Sequence, residues 1–272
     1  MPDLQGKTIA TFESRRAQEM ASLIERHGGV PYTAPALREV PLDNEAEVAA
    51  FVDGVIADPP DLFVCLTGVG TRALIERAAA QGKQELLLAA LGQSKVVARG
   101  PKPVAVLKQH NVRVDLVPPE PNTSHELLDM VRPLGLQGKR IAIQHYGEPN
   151  EFLRSEFQAA GAQLTEVSLY RWELPENQAP LERFLTDVRT GSIDVVAATS
   201  KSQIRNLFGL AEHFDHAEGL REALTGPIVV AAVGPVTAEE WRAHNIAVDI
   251  VPEHPHMGHL IIAIEEYLSR SM

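Results

Sequence analysis

The sequence predicts an α/β protein made of two parallel-sheet domains that repeat each other. Three observations predict it. Strand-like stretches alternate with helical ones along the chain, the pattern of a parallel sheet with helices on both faces. Short runs such as Leu62-Phe63-Val64-Cys65-Leu66 are apolar without interruption, as strands buried on both sides must be. The whole pattern then starts again near the middle of the chain.

The repeat has four anchors. Gly138-Lys139-Arg140-Ile141-Ala142 follows Gly6-Lys7-Thr8-Ile9-Ala10 by 132 residues. Asp194 to Thr199 echoes Asp61 to Thr67 at an offset of 133. Val233-Gly234-Pro235 echoes Arg99-Gly100-Pro101, and Asp249 to Pro252 echoes Asp115 to Pro118, both at 134. This period is far longer than a solenoid unit of roughly 20–50 residues, so the repeated unit is itself a domain.

The elements follow in order. Lys7 to Phe12 reads as a strand, with Ser14 positioned to cap the next helix. That helix sets Ala17, Met20, Ala21, Leu23 and Ile24 on one face and stops at Gly28-Gly29. An extended segment, Val30 to Leu42, precedes a helix capped by Asn44. After the strand Leu62–Leu66, Thr67-Gly68-Val69-Gly70 leads into a helix expected from Thr71. A short helix, Gln84 to Leu91, a strand, Lys95 to Ala98, a helix to His110 and a strand, Arg113 to Val117, complete the series. Thr123 or Ser124 caps a helix ending near Gly135. Leu164 to Pro175 is the second extended segment, at the place in its half that Val30 to Leu42 holds in the first. Each half therefore supplies about five strands, a flavodoxin-like count. The domains are either sequential, split near Leu136, or they exchange their first strand–helix units through the two extended segments; pattern alone leaves both open.

Bulk composition narrows the function classes. The chain has 272 residues, 44% hydrophobic and 22% charged, an ordinary globular balance. A net charge of −11 argues against a nucleic-acid surface. One cysteine, Cys65, excludes an intramolecular disulfide and suits a reducing compartment. The start of the chain has no basic-then-apolar leader, and no stretch has bilayer length, so a cytoplasmic protein without membrane contact is expected.

In open α/β sheets ligands bind beyond the carboxyl ends of the strands, so chemistry is sought in those loops. Thr67-Gly68-Val69-Gly70 opens a helix whose free N–H groups suit an anion; the plain alternative is a tight turn. Gly68, Gly70 and Ala73 also match a dinucleotide G-x-G-x-x-A, but on an internal strand and with Arg99 where an acid belongs. Thr199-Ser200-Lys201-Ser202 is the equivalent loop of the second half. Arg99-Gly100-Pro101-Lys102 and Gly234-Pro235-Val236-Thr237 form another pair, in which each Pro suits a first helical turn. Arg15 and Arg16 follow the first strand; singly each is an ordinary surface cation, but with Lys102 and Lys201 they place positive charge at loops of one type. Cys65 is a core thiol. His254, His256 and His259 lack a partner at a recognised spacing, so no metal site is expected.

These loops, in this order, resemble the uroporphyrinogen-III synthase family across nearly the whole chain. The resemblance rests on Thr67-Gly68-Val69-Gly70, Ala98-Arg99-Gly100-Pro101-Lys102, Gln144-His145-Tyr146-Gly147-Glu148-Pro149, Tyr170-Arg171 and Gly234-Pro235-Val236-Thr237. It implies two flavodoxin-like domains joined by a two-stranded ladder, and so favours exchange: residues 1–36 with 173–272 in one domain, 39–169 in the other, and linkers near 35–40 and 168–174. It implies a cofactor-free lyase, acting as a monomer, that closes hydroxymethylbilane to uroporphyrinogen III with inversion of the last ring. Tyr170 maps onto the family's catalytic tyrosine, with its side chain expected to face the interdomain cleft; a packing residue beside Trp172 is the plain alternative. The substrate is expected at Arg15, Arg16, Thr67, Gly68, Val69, Gly70, Arg99, Gly100, Lys102, Gln144, Tyr146, Gly147, Thr199, Ser200, Lys201, Ser202, Gly234 and Thr237. In the first half Thr237 is replaced by Pro103, which removes one hydroxyl. A non-catalytic tetrapyrrole-binding relative is the alternative function.

Overall fold

A computed structural model describes residues 4–145 and 147–270. The chain forms β1 (Thr8–Thr11), α1 (Ala17–Arg26), β2 (Val30–Thr33), β3 (Arg38–Pro41), α2 (Glu45–Ala57), β4 (Leu62–Cys65) and α3 (Gly68–Ala80). It continues through α4 (Gln84–Gln93), β5 (Lys95–Ala98), α5 (Pro101–Gln109), α6 (Ser124–Val131), β6 (Arg140–Gln144), α7 (Glu151–Ala159), β7 (Gln163–Val167) and β8 (Tyr170–Glu173). The last third holds α8 (Ala179–Asp187), β9 (Val195–Ala198), α9 (Lys201–His213), α10 (Ala217–Leu224), β10 (Val229–Ala232), α11 (Pro235–Ala243) and α12 (Met257–Arg270).

The fold is α/β, with two parallel four-stranded sheets, in the orders β10-β9-β1-β2 and β5-β4-β6-β7, and a small antiparallel pair, β3-β8. The chain divides into two compact units. The first runs up to Arg38 and resumes at Glu173; the second is Glu39–Trp172. Both changes of unit fall within the β3-β8 pair.

Alternation along the central strands explains why both sheet faces are covered. Phe63 and Cys65 of β4 enter one apolar cluster with Val48, Phe51 and Leu74, while Leu62 and Val64 enter another with Leu127, Leu153 and Phe157. In the first unit, Val196 and Ala198 of β9 meet Phe184 and Phe208 on one face, and Val195 and Ala197 meet Met20 and Leu260 on the other. Each large side chain so buried contributes about 1.5–3 kcal/mol relative to exposure.

The repeat has a physical basis in hydrogen bonding. Asp194 accepts from the Thr8 N–H and Asp61 from the Arg140 N–H, at 2.8 and 2.9 Å, clipping the first residue of a neighbouring strand in each unit. Asp249 and Asp115 accept from the N–H of the second residue of β10 and β5, Val230 and Val96, both at 2.8 Å. Asn111 and Asn245 end α5 and α11 with φ of 57° and 62°, a left-handed position that asparagine tolerates.

Several local expectations change. The expected strand Arg113–Val117 reduces to one bridge, Val97 to Leu116, and its counterpart to Ala231 with Ile250, so each sheet has four strands and a bridge. Helix α3 begins at Gly68 rather than Thr71, because the Thr67 side chain caps it by accepting from the Gly70 N–H; two glycines in a first turn conceal the helix from propensity. Each extended segment is two strands. Between β2 and β3 lies Pro35, which has no N–H to donate to a ladder. Ser14 does not cap α1; its hydroxyl donates to the Leu37 carbonyl. Asn44 does not cap α2 by a side-chain bond; its amide donates to Ser168 and accepts from Arg77. Among the described residues, no helix is long and apolar enough to cross a membrane.

Candidate functional site

Parallel pairing puts every loop after a strand's carboxyl end on one edge of its sheet. In the first unit that edge carries the starts of α1, α9 and α11. In the second it carries the starts of α3 and α5 and the turn after β6. Helix N-termini present unpaired N–H groups and the positive end of the helix dipole, so each edge suits carboxylates.

The second unit gathers its polar groups around the α3 cap. The Tyr170 hydroxyl lies 3.2 Å from Thr67 Oγ1, and Thr67 Oγ1 accepts the Gly70 N–H at 3.1 Å. Gln144, fully buried at the end of β6, places its Oε1 3.4 Å from the Thr67 N–H and 3.3 Å from the Thr71 hydroxyl. Its amide nitrogen donates to the His145 carbonyl. A Cβ on Gly70 would lie 2.5 Å from Gln144 Cδ, so the glycine makes room for the amide. Gly68 is closed in likewise: its Cβ would lie 2.8 Å from the Lys102 carbonyl oxygen at the start of α5.

Tyr170 is only 3% exposed. Its ring meets Trp172 edge-on at 5.3 Å between centroids, and the Trp172 indole presses on Gly147, where a Cβ would come 2.5 Å from Nε1. Gly147 also has φ of 61°, the region glycine favours. Both sequence readings of Tyr170 therefore find a contact: it packs on Trp172, and it reaches a polar group with its hydroxyl.

Sequence reasoning misses His145. It is 1% exposed, with Nε2 at 2.7 Å from Glu166, which also accepts from Arg154 at 2.8 Å. Its Nδ1 accepts the Asn150 N–H at 3.2 Å, which fixes the neutral tautomer with the proton on Nε2. Burial pulls its pKa below the usual histidine value, against the opposing pull of Glu166. Its only sequence signal is its place in the string Gln144 to Pro149. Cys65, also buried, has its thiol pushed up to about 12 by desolvation and is unreactive.

In the first unit Ser200 caps α9 in a capping box with Gln203. Gln203 Oε1 accepts from the Thr199 and Ser200 N–H groups at 2.8 and 3.3 Å, and its amide nitrogen donates to Thr199 Oγ1 at 2.9 Å. The Thr199 hydroxyl donates to Glu13, which in the sequence is one of many scattered carboxylates. Arg15 and Arg16 are exposed at the start of α1, where Arg16 pairs with Glu19. Lys201 is half-buried at the start of α9, Ser202 is buried behind it, and Thr237 is buried in the first turn of α11 after Gly234. In the second unit Arg99 and buried Gly100 lead into α5, whose Lys102 is exposed, and Val69 is half-buried in the first turn of α3. Tyr146 lies outside the described residues. Among the described residues, no three His, Cys, Asp or Glu side chains are grouped to hold a metal.

Comparison with known proteins bears on this arrangement. The family model described as uroporphyrinogen-III synthase HemD matches residues 18–262. The Bacillus subtilis protein YjjA, itself uncharacterised, is 28% identical over 264 residues, covering 97% of each chain. A mutant uroporphyrinogen III synthase of Thermus thermophilus has a similar structure, with a TM-score of 0.77, 27% identity and coverage of 97% of this chain and 99% of its own. The uroporphyrinogen-III synthetase of Helicobacter pylori shares the fold at a TM-score of 0.53 and 14% identity, covering 98% of this chain and 100% of its own.

Proposed function

The chain belongs to the uroporphyrinogen-III synthase family, and from that premise we propose that it closes hydroxymethylbilane to uroporphyrinogen III, inverting the last pyrrole ring and releasing water. The observation that carries this reading is the hydrogen bond from the α3 cap to Tyr170, the one phenol held at a helix N-terminus among the described residues. The substrate needs little chemical help, since its own pyrrole nitrogen expels the terminal hydroxyl. What it needs is folding, exclusion of the simple closure, and a proton for the departing oxygen. Tyr170 supplies that proton, so hydroxide leaves as water. The proton later lost from the newly joined pyrrole carbon restores the phenol, and no cofactor enters the balance.

The eight substrate carboxylates meet a protein of net charge −11, so local donors and not the overall field must hold them. Those donors are the helix starts at Gly68–Gly70 and Ser200–Ser202, the loops at Gly100 and Gly234 with Thr237, and the side chains of Arg15, Arg16, Arg99, Lys102 and Lys201. The protein acts alone, as a monomer.

The test is turnover of hydroxymethylbilane by the purified chain without added cofactor, with the product isomers separated. The inverted isomer at a rate well above the no-enzyme control is expected. Only the uninverted isomer, at the control rate, overturns the proposal; tight tetrapyrrole binding in that case points to a regulatory relative.

A further inference from the structure

The α3 cap and the α9 cap occupy equivalent places in the repeat: Thr67 and Ser200 are 133 residues apart, and so are Gly70 and Gln203. Both caps use a glutamine Oε1 to take the N–H of the capping residue. In α9 the amide comes from Gln203, in the helix itself. In α3 that position is Gly70, and the amide arrives from the neighbouring strand as Gln144. The amide is retained while its source changes. Its nitrogen, however, is spent differently. Gln203 donates to Thr199 and toward Glu13, at 2.9 and 3.4 Å. Gln144 donates to a backbone carbonyl, and the cap hydroxyl is joined instead to Tyr170.

We propose that Gln144 is a positioning residue, not a substrate contact: it fixes Thr67 so that the Thr67 hydroxyl donates to the Tyr170 oxygen and leaves the phenol its own proton to give. Three facts converge. Gln144 is fully buried with both ends of its amide engaged inside the unit, which places it away from the surface a ligand would meet. Thr67 Oγ1 accepts the Gly70 N–H and keeps its own proton, which the proposal directs to the Tyr170 oxygen 3.2 Å away. That N–H belongs to the first turn of a 13-residue helix, so the donors line up from the positive helix end through Thr67 to the phenol. A hydrogen bond donated to the phenol oxygen favours its charged form and eases proton release. The consequence for turnover rests on the synthase reading; the consequence for the phenol does not.

The experiment measures kcat, KM and the ionisation of Tyr170 in wild type, Gln144→Ala, Gly70→Gln and the double variant. The chain has four tyrosines, so labelling the ring carbon next to the hydroxyl gives four NMR signals, with Tyr170 assigned by Tyr170→Phe. Gln144→Ala is expected to lower kcat about 10–100-fold with KM nearly unchanged, the scale of one well-placed hydrogen bond, and to raise the Tyr170 ionisation midpoint. In the double variant the glutamine introduced in the first turn of α3 rebuilds the α9 type of capping box, and kcat and the midpoint both move back toward wild type. Thr67→Val, which keeps shape and deletes the donor, raises the midpoint whether or not the double variant folds. An unchanged Tyr170 midpoint in Gln144→Ala and Thr67→Val overturns the proposal, as does a loss confined to KM. If wild type does not turn over hydroxymethylbilane, the synthase reading fails, and the Tyr170 signal still decides the role of Gln144.

Discussion

The two units solve one structural problem with different residues. Each must begin a helix at the carboxyl end of a central strand, α9 after β9 and α3 after β4, and each satisfies the cap with a hydroxyl and a glutamine amide. The first unit does so locally, within Ser200 to Gln203. The second borrows Gln144 across the sheet and leaves a glycine where the local amide would be. With the offset of 133 that relates Val30 to Gln163, Tyr170 falls on Leu37, so the first unit has no phenol at this place. The hydroxyl just before its cap, on Thr199, ends on Glu13. A repeat thus preserves the scaffold and its hydrogen-bond demands, while the side chains meeting those demands are free to diverge.

The largest expected effect separates the glycines of the two helices. Gly70→Ala forces the Gln144 amide out of a buried, hydrogen-bonded place and costs about 2–4 kcal/mol. Gly209→Ala in α9 meets nothing within 4 Å and gains about 0.5–1 kcal/mol from backbone entropy. Urea unfolding of both variants checks this, and similar midpoints for the two would show that the borrowed amide constrains nothing.

Next come the anchors of the unit-changing stretches. In the second unit the Arg77 guanidinium, 15% exposed, donates to the Leu42 carbonyl at 2.5 Å and to Asn44 at 2.8 Å. In the first, Asn206 donates to the Ala36 carbonyl at 2.8 Å. Arg77→Ala leaves more groups without partners and should cost about 2–3 kcal/mol, against about 1 kcal/mol for Asn206→Ala. Equal losses would remove the asymmetry.

A pH effect distinguishes the residues that follow β1 and β6, Glu13 and His145, 132 positions apart. Burial lowers the folded pKa of His145 below its unfolded value near 6.5, so the unfolded chain takes up the proton first as pH falls. Its contribution to stability is complete above about pH 6.5 and is lost as pH drops toward the folded pKa. Protonation would also put a second donor, Nδ1–H, against the Asn150 N–H. His145→Gln should flatten the dependence of the urea midpoint on pH between about 5 and 7. An identical slope in the variant would place the pH sensitivity elsewhere; stacked His244 of the first unit, also depressed by burial, is the group to examine then.

The sequence revealed the parallel sheets because repeated Asp, Asn and Gly anchors and uninterrupted apolar strands have direct structural causes, as Asp61, Asp194 and Asn111 show. It concealed the helical first turn at Gly68–Gly70, since that turn is held by Thr67 and by Gln144, which is far away in sequence. The resemblance likewise puts Gln144 among the expected substrate contacts without signalling that its side chain is fully buried. The Arg113–Val117 stretch has a strand's composition, but with a single bridge it forms no ladder. Local pattern registers periodicity and caps; it does not register a side chain arriving from another strand.

The smallest effect is expected at the surface, where the two units differ in sign. Arg16 follows β1; 132 residues later, after β6, stands Glu148. Both are exposed. Arg16 pairs with Glu19 with about half of each side chain in solvent, so Arg16→Ala should change stability by less than about 0.5 kcal/mol. On the proposed function its effect belongs to substrate capture. A carboxylate-rich substrate loses one of many distributed contacts, which removes binding shared by ground state and transition state and raises KM about 3–10-fold with kcat within about twofold. Glu148→Ala should act oppositely, lowering KM by relieving repulsion, and both effects should shrink in high salt as screening removes them. If Arg16→Ala abolished turnover at saturating substrate, Arg16 would have to act on the reacting ring, and distributed capture by exposed cations would be the wrong account of the first unit.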